Sequence, residues 1–225
     1  IASGEVVGFE GGRTVVMLFG PANGIAPGTW VVAGQSAQMV AVGKSLIGRV
    51  IDGLGRPIDD GPPLRDTGLY PLESEPTPAL QRRRITEPMP TGVRAIDGMV
   101  TLGKGQRVGI FSGPGVGKST LLAMIARNTA ADINVIGLIG ERGREVRDFI
   151  DGVLGEEGLA RSVLVVSTSD EAPIMRVRAA AVTCAVAEWF RLQGRDVLLM
   201  MDSITRFAQA QRQIGLTVGE QPATK

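Results

Sequence analysis

Arg107-Val-Gly-Ile-Phe-Ser-Gly-Pro-Gly-Val-Gly-Lys-Ser-Thr-Leu-Leu-Ala-Met-Ile-Ala126 decides the reading of the chain. It begins as an apolar strand, passes a Gly-rich turn and continues in a helical pattern from Lys118. A turn that opens a helix aims several backbone N–H groups at one point, and the partial positive charge of the helix start adds to them. Gly113, Gly115 and Gly117 let the backbone curl with no side chain in the way of an anion. Pro114 has no N–H, so the donors are expected from Gly115, Val116, Gly117 and Lys118. The Lys118 ammonium can reach β- and γ-phosphates, and the Ser119 hydroxyl can ligate Mg²⁺. The nucleotide-binding stretch is thus Gly113 to Thr120. The strict pattern places Gly where Ser112 stands, at the strand end farthest from the phosphates. A Gly-rich turn with a chance lysine does not explain strand, loop, Lys-Ser and helix in register.

Composition bounds the rest. The 225 residues suffice for one domain and part of another, and 44% hydrophobic content supports a packed core. A net charge of +1 and 4% aromatic residues give no sign of a nucleic-acid surface. The absence of histidine and the single Cys184 exclude an internal disulfide and a His-based triad, and speak against zinc. Cys184 lies on an apolar helix face and reads as a core position. No apolar run approaches membrane-spanning length, which reads as cytoplasmic. The chain starts at Ile1 without Met and reads as a fragment.

Residues 4–9, 13–18, 29–33 and 39–42 read as short strands between Gly/Pro turns, part of a small antiparallel barrel over residues 1–43. Gly43 is the expected seam, with a nucleotide-binding domain over 44–225. Leu46-Ile-Gly-Arg-Val-Ile-Asp-Gly-Leu-Gly-Arg-Pro57 reads as a strand and turn, and the five prolines of residues 59–78 as a loop laid over the next domain. From Gly92 strands and helices alternate. Strands are expected at 107–112, 134–140, 162–168 and 197–202, and helices at 118–130, 144–153, 173–192 and 204–214. Runs such as Val163-Leu-Val-Val166 are apolar on both faces, as a parallel sheet covered by helices requires. The expected class is α/β with a mostly parallel sheet.

Parallel sheets bind ligands at the carboxyl ends of their strands. Asp202 ends one apolar strand, where it can hold Mg²⁺ beside Ser119 or, on the blander reading, cap a helix. Glu141 ends another and is the candidate to orient or deprotonate a water attacking phosphate. The alternative takes Glu141, Arg142, Arg144 and Glu145 as surface ion pairs at a helix start. Arg206, four residues past Asp202, can face a γ-phosphate or pair with an acidic neighbour.

Four stretches together resemble the flagellar protein export ATPases, their type III secretion counterparts and the catalytic subunits of rotary ATP synthases. They are Gly113-Pro-Gly-Val-Gly-Lys-Ser119, Gly137-Leu-Ile-Gly-Glu-Arg-Gly-Arg-Glu-Val-Arg-Asp-Phe149, Asp202-Ser-Ile-Thr-Arg-Phe-Ala-Gln-Ala-Gln-Arg212 and Gly219-Glu-Gln-Pro-Ala-Thr-Lys225. Thr91-Gly-Val-Arg-Ala-Ile-Asp97 and Gly48-Arg-Val-Ile-Asp-Gly-Leu-Gly-Arg-Pro57 fit the same families. The resemblance implies a RecA-like core that hydrolyses ATP with Mg²⁺. Lys118 would bind the β- and γ-phosphates, and Ser119 and Asp202 would serve the metal. Glu141 would be the catalytic glutamate, with Arg142 beside the phosphates and Arg206 near the γ-phosphate.

The resemblance further implies a homohexamer with ATP between neighbours, placed at the inner-membrane export gate. Stalk or regulator subunits, export-apparatus proteins, chaperones and substrates would be its partners. An arginine finger and an adenine clasp from later in such chains, and a C-terminal helical domain, lie beyond Lys225, so weak or no activity is expected of residues 1–225 alone. Rotary subunits usually carry Thr where Gly143 stands, which favours export. Non-catalytic ring subunits lack the carboxylate that Glu141 supplies, and a hexameric RNA helicase would need an RNA surface.

Overall fold

The computed structural model describes residues 1–34, 38–113 and 115–222. In chain order the strands are β1 (Gly4–Glu10), β2 (Arg13–Leu18), β3 (Met39–Val42), β4 (Val50–Asp52), β5 (Gly68–Pro71), β6 (Ile133–Glu141), β7 (Ser162–Thr168) and β8 (Val197–Asp202). The helices are α1 (Arg94–Met99), α2 (Lys118–Asn128), α3 (Gly143–Asp148), α4 (Gly155–Leu159), α5 (Pro173–Leu192) and α6 (Ile204–Thr217), with a π-helical stretch, Phe149–Leu154, joining α3 to α4. None of the described helices is long and apolar enough to cross a membrane.

Four strands form one parallel sheet in the order β4-β7-β6-β8. Eight of the nine residues of β6 are buried, because helices cover both faces and strands flank both edges. One face packs Val135, Ile139, Val163 and Val165 against Val182, Val186 and Phe190 of α5, with Phe207 of α6 at the margin. On the other face Ile136, Leu138 and Leu164 meet Ala123, Ile125 and Ala126 of α2 and Phe149 and Leu154 beyond α3. Each of the Val, Leu, Ile and Phe side chains contributes roughly 1.5–3 kcal/mol when fully buried.

The far end of α2 is tied to the sheet by a buried polar link. Asn134 Nδ2 donates to the Ala126 carbonyl at 2.8 Å and to Ser162 Oγ at 3.2 Å, and Ser162 Oγ donates to the Gly158 carbonyl at 2.6 Å. At the other edge Arg49, 8% exposed, makes a forked ion pair with Asp59 that holds β4 to the following turn.

Several expectations need correction. Residues 29–33 form no strand: after turns closed by Ile25 N–H to the Ala22 carbonyl and Thr29 N–H to the Ala26 carbonyl, Trp30, Val31 and Val32 stand exposed, with no partner strand among the described residues. The Pro-rich segment holds β5, which pairs antiparallel with β3; this ladder straddles the seam expected at Gly43, and Val40 and Val42 are buried against the α5 side of the core. Residues 107–112 are not a strand either. Val108, Ile110 and Phe111 are exposed, the Phe111 ring lies over Gly109, and among the described residues β8 pairs only with β6. The helix expected over 144–153 is α3 followed by the π-helical stretch. Cys184 is exposed, opening on a cleft of about 470 Å³ beside β8. Desolvation by the surrounding protein and, secondarily, Glu188 push its thiol pKa up.

Candidate nucleotide site

The site forms where β6, β8 and α2 meet. Gly115 and Gly117 have φ of 75° and 93°, and Gly117 precedes the first turn of α2 in a left-handed conformation that a side chain would strain. Pro114 lies outside the described residues. Gly113, Gly115, Val116, Gly117, Ser119 and Thr120 are all exposed, so the loop opens on solvent. Lys118 begins α2, and its Nζ makes an ion pair with Oδ1 of Asp202, which is only 5% exposed.

Asp202 ends β8 opposite Leu138 of β6. The capping alternative falls to its neighbour: Ser203 Oγ accepts the Arg206 N–H at 3.4 Å at the start of α6. Glu141 ends β6. A small cleft of about 80 Å³ is lined by Ser119, Glu141, Glu145, Asp202, Val146 and Phe149, so residues distant in sequence share one space.

Electrostatics separates the two carboxyls from helix α3 and the strand before it. Burial first, then a hydrogen bond to Glu145 and the nearby charge of Asp202, push Glu141 up to about 7. Glu145 moves the other way. The hydrogen bond from Glu141 and the guanidinium of Arg142, 3.0 Å away, hold it below the usual carboxylate range. The two carboxyls are thus shifted in opposite directions. The ion-pair reading of this run holds for Arg142 and Glu145, but Glu145 also faces the cleft. Its i+4 spacing from Glu141 was the available signal, outweighed by the look of a solvated charge cluster.

Arg206 is exposed, and its stem crosses Gly140, the residue before Glu141. A Cβ at position 140 would stand 2.8 Å from Arg206 Cβ, and φ there is 75°, so both space and conformation require glycine. Lys118, Ser119, Glu141 and Asp202 are thus brought together. Arg206 borders them, Arg142 touches them through Glu145, and Thr120 stays outside on the exposed surface of α2.

The donor set suits a metal that keeps water and substrate oxygens. Among the described residues no three acidic, His or Cys side chains cluster into a cage, while the Ser119 hydroxyl and the Asp202 carboxylate face one cleft.

The chain is similar to several known proteins. The chain is 52% identical over 221 residues to the flagellum-specific ATP synthase of Pseudomonas aeruginosa, covering 98% of this chain and 49% of that protein. It is 52% identical over 221 residues to the type 3 secretion system ATPase of Xanthomonas euvesicatoria, covering 98% of this chain and 50% of that one. The structure of the assembled ATPase EscN from the type III secretion system of enteropathogenic E. coli matches with a TM-score of 0.91 at 44% identity, over 100% of this chain and 54% of that one. The chain spans about half the length of the curated relatives it matches. Residues 92–225, more than half of the sequence, match the nucleotide-binding domain of the ATP synthase alpha/beta family. The chain belongs to the ATP synthase alpha/beta family.

Proposed function

We propose that the chain carries most of the nucleotide site of an ATPase that energises protein export through a flagellar or type III secretion apparatus. The convergence of Lys118, Ser119, Glu141 and Asp202 at the carboxyl end of the sheet carries this reading. The reaction transfers the γ-phosphoryl group of ATP to water, giving ADP and phosphate.

The loop N–H groups and Lys118 bind the phosphates and hold them in line with the incoming water. Ser119 and Asp202 would hold Mg²⁺, which when bound neutralises charge on the phosphate oxygens. Glu141 orients the water and, once ionised, accepts its proton. A pKa near 7 keeps it poised for that transfer at neutral pH. Arg206 and Arg142 stabilise negative charge at the edge of the site.

The intact protein is a cytoplasmic homohexamer whose neighbouring subunits complete each site. A related structure, the assembled ATPase EscN in complex with its central stalk EscO, supports assembly and a stalk partner. Within this reading residues 1–43 are a partial β domain and 44–225 the nucleotide domain, with β3 lending its buried side to the latter. Glu141 in place speaks for a catalytic subunit over a non-catalytic one.

The test is phosphate release by the intact protein against protein concentration, with Glu141→Gln in parallel. Specific activity should climb as rings form, and the variant should lose about 10³-fold or more in turnover while still binding ATP. Turnover retained by the variant would remove Glu141 from the mechanism.

A further inference from the structure

We propose that the Lys118–Asp202 ion pair is a lock that couples metal and nucleotide: each ligand takes one member of the pair and releases the other for its companion. This deepens the reading above and rests on it.

Asp202 is nearly sealed from solvent, and among the described residues Lys118 is the one cation within 4.0 Å of its carboxylate. The carboxyls that share its cleft are Glu141 and Glu145, neither of which can neutralise it. A triphosphate arriving without metal draws Lys118 away and leaves a buried carboxylate facing a polyanion. A divalent ion arriving alone takes Asp202 and leaves the Lys118 ammonium beside a like charge. Arriving together, the two ligands exchange one ion pair for two, and no charge is stranded. Linkage then requires each to raise the affinity of the other by the same factor.

Two substitutions separate the halves of the lock. Asp202→Asn keeps the shape and frees Lys118, so ATP in the presence of a chelator should bind about tenfold or more tightly than to the unaltered chain by calorimetry. The gain in ATP affinity on adding Mg²⁺ should shrink in the same variant. Lys118→Met frees Asp202, so Mn²⁺ with no nucleotide present should bind about tenfold more tightly by electron paramagnetic resonance. Circular dichroism checks that each variant is folded. Metal-free ATP binding no tighter in Asp202→Asn, or Mn²⁺ binding no tighter in Lys118→Met, overturns the lock even though the unaltered chain binds ATP with Mg²⁺. Failure of the unaltered chain to bind ATP with Mg²⁺ overturns the nucleotide site itself, and the lock with it.

Discussion

Residues 133–141 and 107–112 are written alike, short apolar runs with glycine inside them, yet they meet opposite surroundings. The first is β6, paired on one edge with β7 and on the other with β8 and covered on both faces. The second carries Val108 at 51%, Ile110 at 38% and Phe111 at 96% exposure and joins no ladder. An apolar run is therefore a licence for burial and no more. What secures it is a pairing partner on an edge and a helix on a face.

The contrast can be broken at its strongest point first. Ile136→Ala, in the middle of β6 at 1% exposure, should cost about 2–5 kcal/mol of stability in a denaturant titration. A loss under about 1 kcal/mol would deny that β6 is the packed centre. A second measurement sharpens the picture where β6 leaves the core. Glu141 has its folded pKa raised from 4.5 to about 7, so the protein binds this proton more tightly when folded. The associated stability is fully present below about 4.5 and is lost as pH rises through 7. Because Glu141 is partly open to solvent, the loss is discounted to about 1 kcal/mol. Glu141→Gln escapes it, so the variant should be more stable than the unaltered chain by that amount at pH 8 and equal to it near pH 4.5. A difference independent of pH would contradict the assignment. The smallest effect is expected at the other run: Phe111→Ala should change stability by less than about 0.5 kcal/mol. A core-sized loss there would mean that residues 107–112 are packed in solution, and the contrast would vanish.

Where the sequence was legible, one physical rule governed. The runs at β6, β7 and β8 were readable because two-face burial demands continuous apolar residues, and α5 because its start at Pro173 and its apolar stripe coincide. Glu141 and Asp202 followed from strand ends in a parallel sheet. Glu145 was missed because only the fold turns it from a solvated face into the cleft. β5 was hidden by prolines, although Pro71 ends the strand where a missing N–H costs little. Cys184 sits on an apolar stripe as expected, but the stripe there faces the cleft beside β8, a matter of tertiary placement that helical periodicity does not encode.

The polar link at Asn134 has a mechanical consequence. It rivets the last turn of α2 to β6 and β7, while the first turn carries Lys118 and rests on Leu121, Leu122 and Ala123 as well as on the ion pair to Asp202. An 11-residue helix is about 16 Å long, so a tilt of about 5° about the rivet swings the loop end by about 1.4 Å. The helix thus joins a polar anchor in the core to the exposed glycine loop at its start.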